Sequence, residues 1–387
     1  MPATVSDTIT PQRESYPQLF LRFLRFGFLA WGGPVAQIAM IRQELVEEEH
    51  WISRERFNRV LAVYQVLPGP EAHELCVYFG MISRGRIGAI LAGLGFMLPG
   101  FLFMFALSWF YVTYDINSPL SAGVFHGFQA AVAALIVRAV RQIGGNVLND
   151  RWLWGIAILS GIAHLLGLNF LITLSLSGLV YTIIKRQIPS SPVHAALFFP
   201  LSLLPQAVSI AAPSLLALFV YGLRSGLLTF GGAYTVIPFL QHDAVVTGGW
   251  MTNGQFLDGL ALSSILPAPL IIFATFVGYL GGGPLGAVVL TVGIFLPAFA
   301  FTLIGHNYFE KLIENKTAHA FLDGVIAGVV GLISATSIGL FRTAITDLPA
   351  FVIFIAALLA LYCWKAKAAV AIVVLGGGLL GLLFYAL

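Results

Sequence analysis

The chain has 387 residues, of which 58% are hydrophobic and 10% charged, with a net charge of +3 and a mean hydropathy of +0.91. That is more apolar surface than a soluble interior hides, and Lys and Arg spread thinly over short loops exclude a nucleic-acid-binding face. Cys76 and Cys363, both flanked by apolar residues, make neither a disulfide framework nor a Cys-based metal site.

In chain order, residues 1–17 read as a polar amino-terminal tail, with no cleaved signal segment expected. About 20 apolar residues cross a bilayer. By that measure 18–42 is a first segment, and 54–80 is a helical pair broken by Leu67-Pro68-Gly69-Pro70. Segments at 87–113 and 121–142 follow. The stretch 152–184 is too long for one span and should form a hairpin turning near Gly167. Residues 188–212, with four prolines, read as a linker. Four further segments follow at 215–241, 253–280, 284–308 and 318–342, and a hairpin over 348–387 should turn around Lys365 to Lys367.

This order repeats. Arg25, Gly32, Gly33, Trp51, Phe57, Leu67, Pro68 and Pro70 recur 199 positions later as Arg224, Gly231, Gly232, Trp250, Phe256, Leu266, Pro267 and Pro269. The chain is thus two homologous halves, 18–187 and 213–387, of an all-α polytopic membrane protein. If the Pro-broken pair is re-entrant, Arg42, Arg54, Arg56, Arg59, Arg84, Arg86, Arg138 and Arg141 fall with Lys365 and Lys367 on the cytoplasmic side. Each half then makes about five crossings. An odd number forces the halves into opposite orientations, the inverted-repeat plan of secondary transporters.

The chemistry-bearing residues point to an anion. Arg25 and Arg224 sit inside apolar runs, where a permanently charged guanidinium fork matches a tetrahedral oxyanion. Snorkelling to the interface is the competing explanation, more natural for Arg25 than for Arg224. Gly32-Gly33 and Gly231-Gly232 expose backbone, and Pro68-Gly69-Pro70 and Pro267-Ala268-Pro269 end one half-helix and start another. A half-helix amino terminus presents unpaired N–H groups and about half a positive charge. Glu71, His73 and Glu74 occur in the first half alone; Glu71 and His73 are candidate proton-coupling groups, as are His126 and Asp323 at matched helix starts. His73-Glu74 resembles the start of a zinc-binding HExxH helix, but Val77 stands where the second His is needed. No metal or other cofactor is expected, and the acidic run Glu44, Glu47, Glu48 and Glu49 reads as a solvated face.

Phe26 to Pro34, Trp51 to Phe57, Leu67 to Ala72, the glycines from Tyr78 to Gly88 and Leu98-Pro99 resemble the amino-terminal domain of the chromate ion transporter (CHR) family. Leu228 to Gly232, Trp250 to Phe256 and Leu266 to Pro269 resemble its carboxy-terminal domain, with Ala268 departing from Pro-Gly-Pro. The resemblance implies the bidomain long-chain type and proton-motive-force-driven export of chromate across the bacterial inner membrane. Sulfate uptake or exchange is the alternative, because the two oxyanions share charge and shape. An intramembrane enzyme is a distant third, since no nucleophile or metal constellation clusters near the midplane. Chromate or sulfate and membrane lipid are the expected partners, and a homodimer is left open.

Overall fold

The computed structural model describes residues 14–114, 118–185, 213–313, 316–364 and 366–385. The linker 188–212 and most of the 1–17 tail lie outside the described residues. Fourteen α-helices, and no strands, occur among the described residues. The first half contains α1 (Tyr16–Phe28), α2 (Gly33–Arg42) with a π-helical turn over Gln43–Glu48, α3 (Arg54–Val66), α4 (Glu71–Thr113), α5 (Pro119–Val147), α6 (Arg151–Leu165) and α7 (Phe170–Ile184). The second repeats it as α8 (Leu215–Leu228), α9 (Ile237–Gln241), α10 (Asn253–Ser264), α11 (Ala274–Ile313), α12 (Lys316–Ala344), α13 (Leu348–Cys363) and α14 (Ala369–Tyr385). Stretches at Glu71–Thr113, Leu120–Val147, Leu270–Ile304 and Thr317–Ala344 are long and apolar enough to span a bilayer.

The repeat extends to backbone angles. In α4 the chain reverses at Arg84 (φ −140°) and Gly85 (φ +62°), and in α11 at Gly282 (φ −152°) and Gly283 (φ +62°). A left-handed φ selects glycine there. The arms then close on glycine: a Cβ added at Gly80 would lie 2.3 Å from the Gly88 carbonyl, and one at Gly278 would lie 2.4 Å from that of Gly286.

Segment 18–42 is not one straight helix: the chain folds back at Gly32 and Gly33, whose φ values are +91° and +77°. Arg22 donates to Glu44 at 2.7 Å and to Glu49 at 2.6 Å, and Arg25 also pairs with Glu44. A helix continuing in one direction would carry Glu44 about 30 Å past Arg22. Arg224 reaches Asp243 in the same way in the second half. The pair formed by α3 and the start of α4 also returns, since the Arg84 guanidinium donates to the Glu14 carbonyl. The chain thus turns back on itself at the paired glycines of each half as well as at the first-half Pro-Gly-Pro break.

The halves interlock. A Cβ added at Gly93 of α4 would touch Phe299 of α11 at 2.4 Å, and further along α4 the Phe105 ring meets Tyr279, beside the α11 reversal, at 5.4 Å. The long arms thus run antiparallel, as oppositely directed halves require. The terminal hairpins are exchanged. A Cβ at Gly127 of α5 would lie 2.0 Å from the Gly377 carbonyl of α14, and one at Gly324 of α12 would lie 2.5 Å from the Ser177 carbonyl of α7. The α6–α7 hairpin closes at its open end where Lys185 donates to Asp150 at 2.9 Å. That bond and one from the Trp152 amide hold the Asp150 carboxylate below its ordinary range.

Candidate functional site

The four breaks meet in crossed pairs, each break of one half against the opposite kind in the other. Leu67 to Pro70 leave the helix because two prolines remove donors and Gly69 takes φ +153°. The Gly69 amide donates to the carbonyl of Thr229, two residues before Gly231, at 2.9 Å. At the other crossing, Trp31, Gly32, Gly33 and Pro34 face Leu266 and Ala268 across a cavity of about 40 Å³. A buried water needs on the order of 10–15 Å³ by this measure, so the cavity suits a small polyatomic ion rather than a lipid or peptide. Ser264 at the end of α10 and the exposed Lys367, between α13 and α14, also line it.

Pro68, Gly69, Pro70, Pro267, Ala268 and Pro269 are buried, whereas Gly231 and Gly232 are partly exposed and Gly32 is open. The two arginines are committed to carboxylates. Arg25 pairs with Glu44, with side chains 54% and 21% exposed; Arg224 pairs with Asp243 at the matched positions, 3% and 1% exposed. The Arg224 guanidinium also lies over the rings of Phe170 and Tyr221, at 5.1 and 5.3 Å, with Nε unpartnered. Neither arginine lines the cavity.

Glu71, His73 and Glu74 occupy the first turn of α4, immediately after the first-half Pro-Gly-Pro, and are 8%, 0% and 0% exposed. Glu71 Oε2, both oxygens of Glu74 and both ring nitrogens of His73 have no hydrogen-bond partner. The His73 ring sits between Phe295 and Phe299 of α11, at 5.0 and 4.9 Å. The structure does not bring His126 and Asp323 to the breaks. Both are exposed near helix starts, and His126 Nδ1 lies 3.0 Å from its own-helix Ala122 carbonyl.

Sequence reasoning missed three groups. Glu44, assigned to a solvated face, and Asp243 are the partners of the two arginines, and their own 199-residue spacing was the signal. Asp258, a lone acid in apolar α10, accepts from Tyr111 at 2.7 Å and Gln129 at 2.8 Å, tying α10 to α4 and α5. Among the described residues no group of His, Cys, Asp and Glu is placed to hold a metal.

The family described as Chromate transporter matches this chain twice, over residues 17–183 and 216–382, which reproduces the two structural halves. The chain belongs to the chromate transporter family. A chromate transport protein of Pseudomonas aeruginosa is 55% identical, covering 99% of this chain and 97% of its own. A probable chromate transport protein of Synechococcus elongatus is 32% identical over 93% of each chain. A chromate transport protein of Cupriavidus metallidurans is 32% identical over 96% of this chain and 93% of its own. No solved structure matches. This is a family of transporters rather than enzymes, in keeping with a multi-pass helical membrane protein built around crossed breaks.

Proposed function

We propose that this chain is a secondary active transporter that exports chromate across the bacterial inner membrane, driven by the proton-motive force. The observation that carries the reading is the pairing of the four broken helices in two crossings, at one of which backbone freed from helical pairing lines a cavity of ionic size. Substrate contacts are assigned to that backbone around Gly32, Gly33 and Ala268 on one side and Pro68 to Pro70 and Gly231-Gly232 on the other, with Lys367 attracting the anion at the mouth. Arg25 and Arg224 act beside it through their ion pairs. The matched pairs differ in exposure, 54% and 21% against 3% and 1%, which supports a state open at one end and closed at the other, as alternating access demands. The relatives named for chromate transport support chromate as substrate, and sulfate is the oxyanion to compete against it.

Ser264→Leu tests the site by filling the cavity. Chromate binding to the purified, folded variant should be lost, while sulfate should displace chromate from the parent protein at higher concentration. Parent-like chromate affinity in the variant would move the site elsewhere.

A further inference from the structure

From the buried acids at the first crossing we infer that Glu74 is the group that carries the coupling proton, and that its protonation holds the Gly69–Thr229 contact closed. This rests on the transport reading above and assigns its proton to one side chain. The first observation is burial without partners: Glu74 is wholly buried and neither of its oxygens meets a donor. The second is position. Its carboxyl lies against Gly69, so that a Cβ added there would be 2.8 Å from Glu74 Oε1, and the Gly69 amide makes the hydrogen bond that joins the two halves at this crossing.

No cationic side chain acts on Glu74. On α4 its titratable neighbours are Glu71, His73 and Tyr78, with Arg56 spent on the Tyr78 hydroxyl at 2.9 Å. On α3 the neighbour is Tyr64, whose hydroxyl bonds Thr302 of α11 at 3.1 Å. Further along, α11 brings the Phe295 and Phe299 rings against His73. A bare carboxylate in this buried site, three residues from a second carboxyl, would have no side-chain donor and only the weak field of the α4 amino terminus to offset it. The closed arrangement therefore suits the neutral acid. Losing the proton to water leaves an anion that is satisfied only if the Pro68-Gly69-Pro70 loop moves off it, which breaks the contact with Thr229 and uncovers the start of α4. Proton binding and loop closure are thus linked through one equilibrium.

Two comparisons single out this residue. Glu71 keeps a small exposure and has one buried oxygen without a partner against two for Glu74, so it tolerates ionisation better than Glu74. The position matching Glu74 in the second half is Phe273, so one crossing titrates and the other does not.

The test uses full-length protein in liposomes and two readouts: chromate counterflow at equal pH on both sides, and chromate flux driven by a pH gradient with the membrane potential clamped at zero. Glu74→Gln should retain counterflow and lose the gradient-driven flux to the level of protein-free vesicles. Glu74→Asp and Glu71→Gln should keep both. Gradient-driven flux that survives in Glu74→Gln overturns the assignment. So does loss of counterflow in both Glu74 variants, which would make the side chain structural. A parent protein that shows no chromate counterflow would instead sink the transport reading.

Discussion

The matched ion pairs allow one chemical change to be made in two environments. Asp243→Asn removes the partner of a guanidinium that is 3% exposed, whereas Glu44→Gln does so for one that is 54% exposed. Stranding a buried charge costs about 3–5 kcal/mol, while a solvent-exposed pair contributes roughly 0–1 kcal/mol. Glu44 also serves Arg22, but that guanidinium keeps Glu14 and Glu49, so the loss there stays small. At about 2.1 cal/mol/K of unfolding entropy per residue, a 4 kcal/mol loss lowers the melting temperature of a chain this long by on the order of 5 °C. Thermal unfolding of the two purified variants in one detergent measures the contrast. Replacing Arg224 and Asp243 together by Met and Leu should recover most of the loss, because no bare charge remains. Equal shifts at the two sites, or a double variant no better than Asp243→Asn, would refute the burial argument.

Single-cysteine labelling at Arg86 and Leu285, with Cys363→Ser removing the exposed native thiol, should report opposite faces of the membrane for the two reversals; the same face would contradict the antiparallel halves. Gly80→Ala and Gly278→Ala place a methyl within 2.4 Å of a backbone carbonyl and should abolish folded protein in size-exclusion profiles. Gly85→Ala and Gly283→Ala meet nothing within 4 Å, so each should lose only about 1–3 kcal/mol, the cost of a Cβ in the glycine-only backbone region near φ +62° and ψ −154°. Asp258→Ala strands the Tyr111 hydroxyl and the Gln129 amide and should lower stability by about 1–3 kcal/mol in the same melting assay.

The repeat and the four breaks were legible because they depend on residues with narrow backbone roles. Gly, Pro and Trp mark positions such as Gly32, Pro68 and Trp250 where one residue type fits, and their 199-residue recurrence survives divergence elsewhere. The turns of both terminal hairpins were read near Gly167 and Lys365 to Lys367, and the structure places them between α6 and α7 and between α13 and α14. What escaped depends on partners distant in sequence. The contact of Gly127 with Gly377 joins residues about two thirds of the chain apart and leaves no local pattern, so the exchange of hairpins is not visible in the sequence. The fold-back of 18–42 escaped for a related reason. Apolar length gives the number of residues able to cross but not their direction, which only the pairing of Arg22 and Arg25 with Glu44 reveals. At the site, the asymmetry of the first-half acids is visible in the sequence, whereas the carboxylate partners of Arg25 and Arg224 are not, because Glu44 and Asp243 lie just beyond the apolar segments that hold the arginines.

Chromate flux into and out of liposomes containing the full-length protein, under an imposed pH gradient and membrane potential and with sulfate as competitor, tests the central claim most directly. The account predicts protein-dependent net chromate accumulation that follows the imposed driving force, stops when both gradients are collapsed, and is lost in Ser264→Leu. Net chromate accumulation equal to that of protein-free liposomes, or unchanged when both gradients are collapsed, would contradict it.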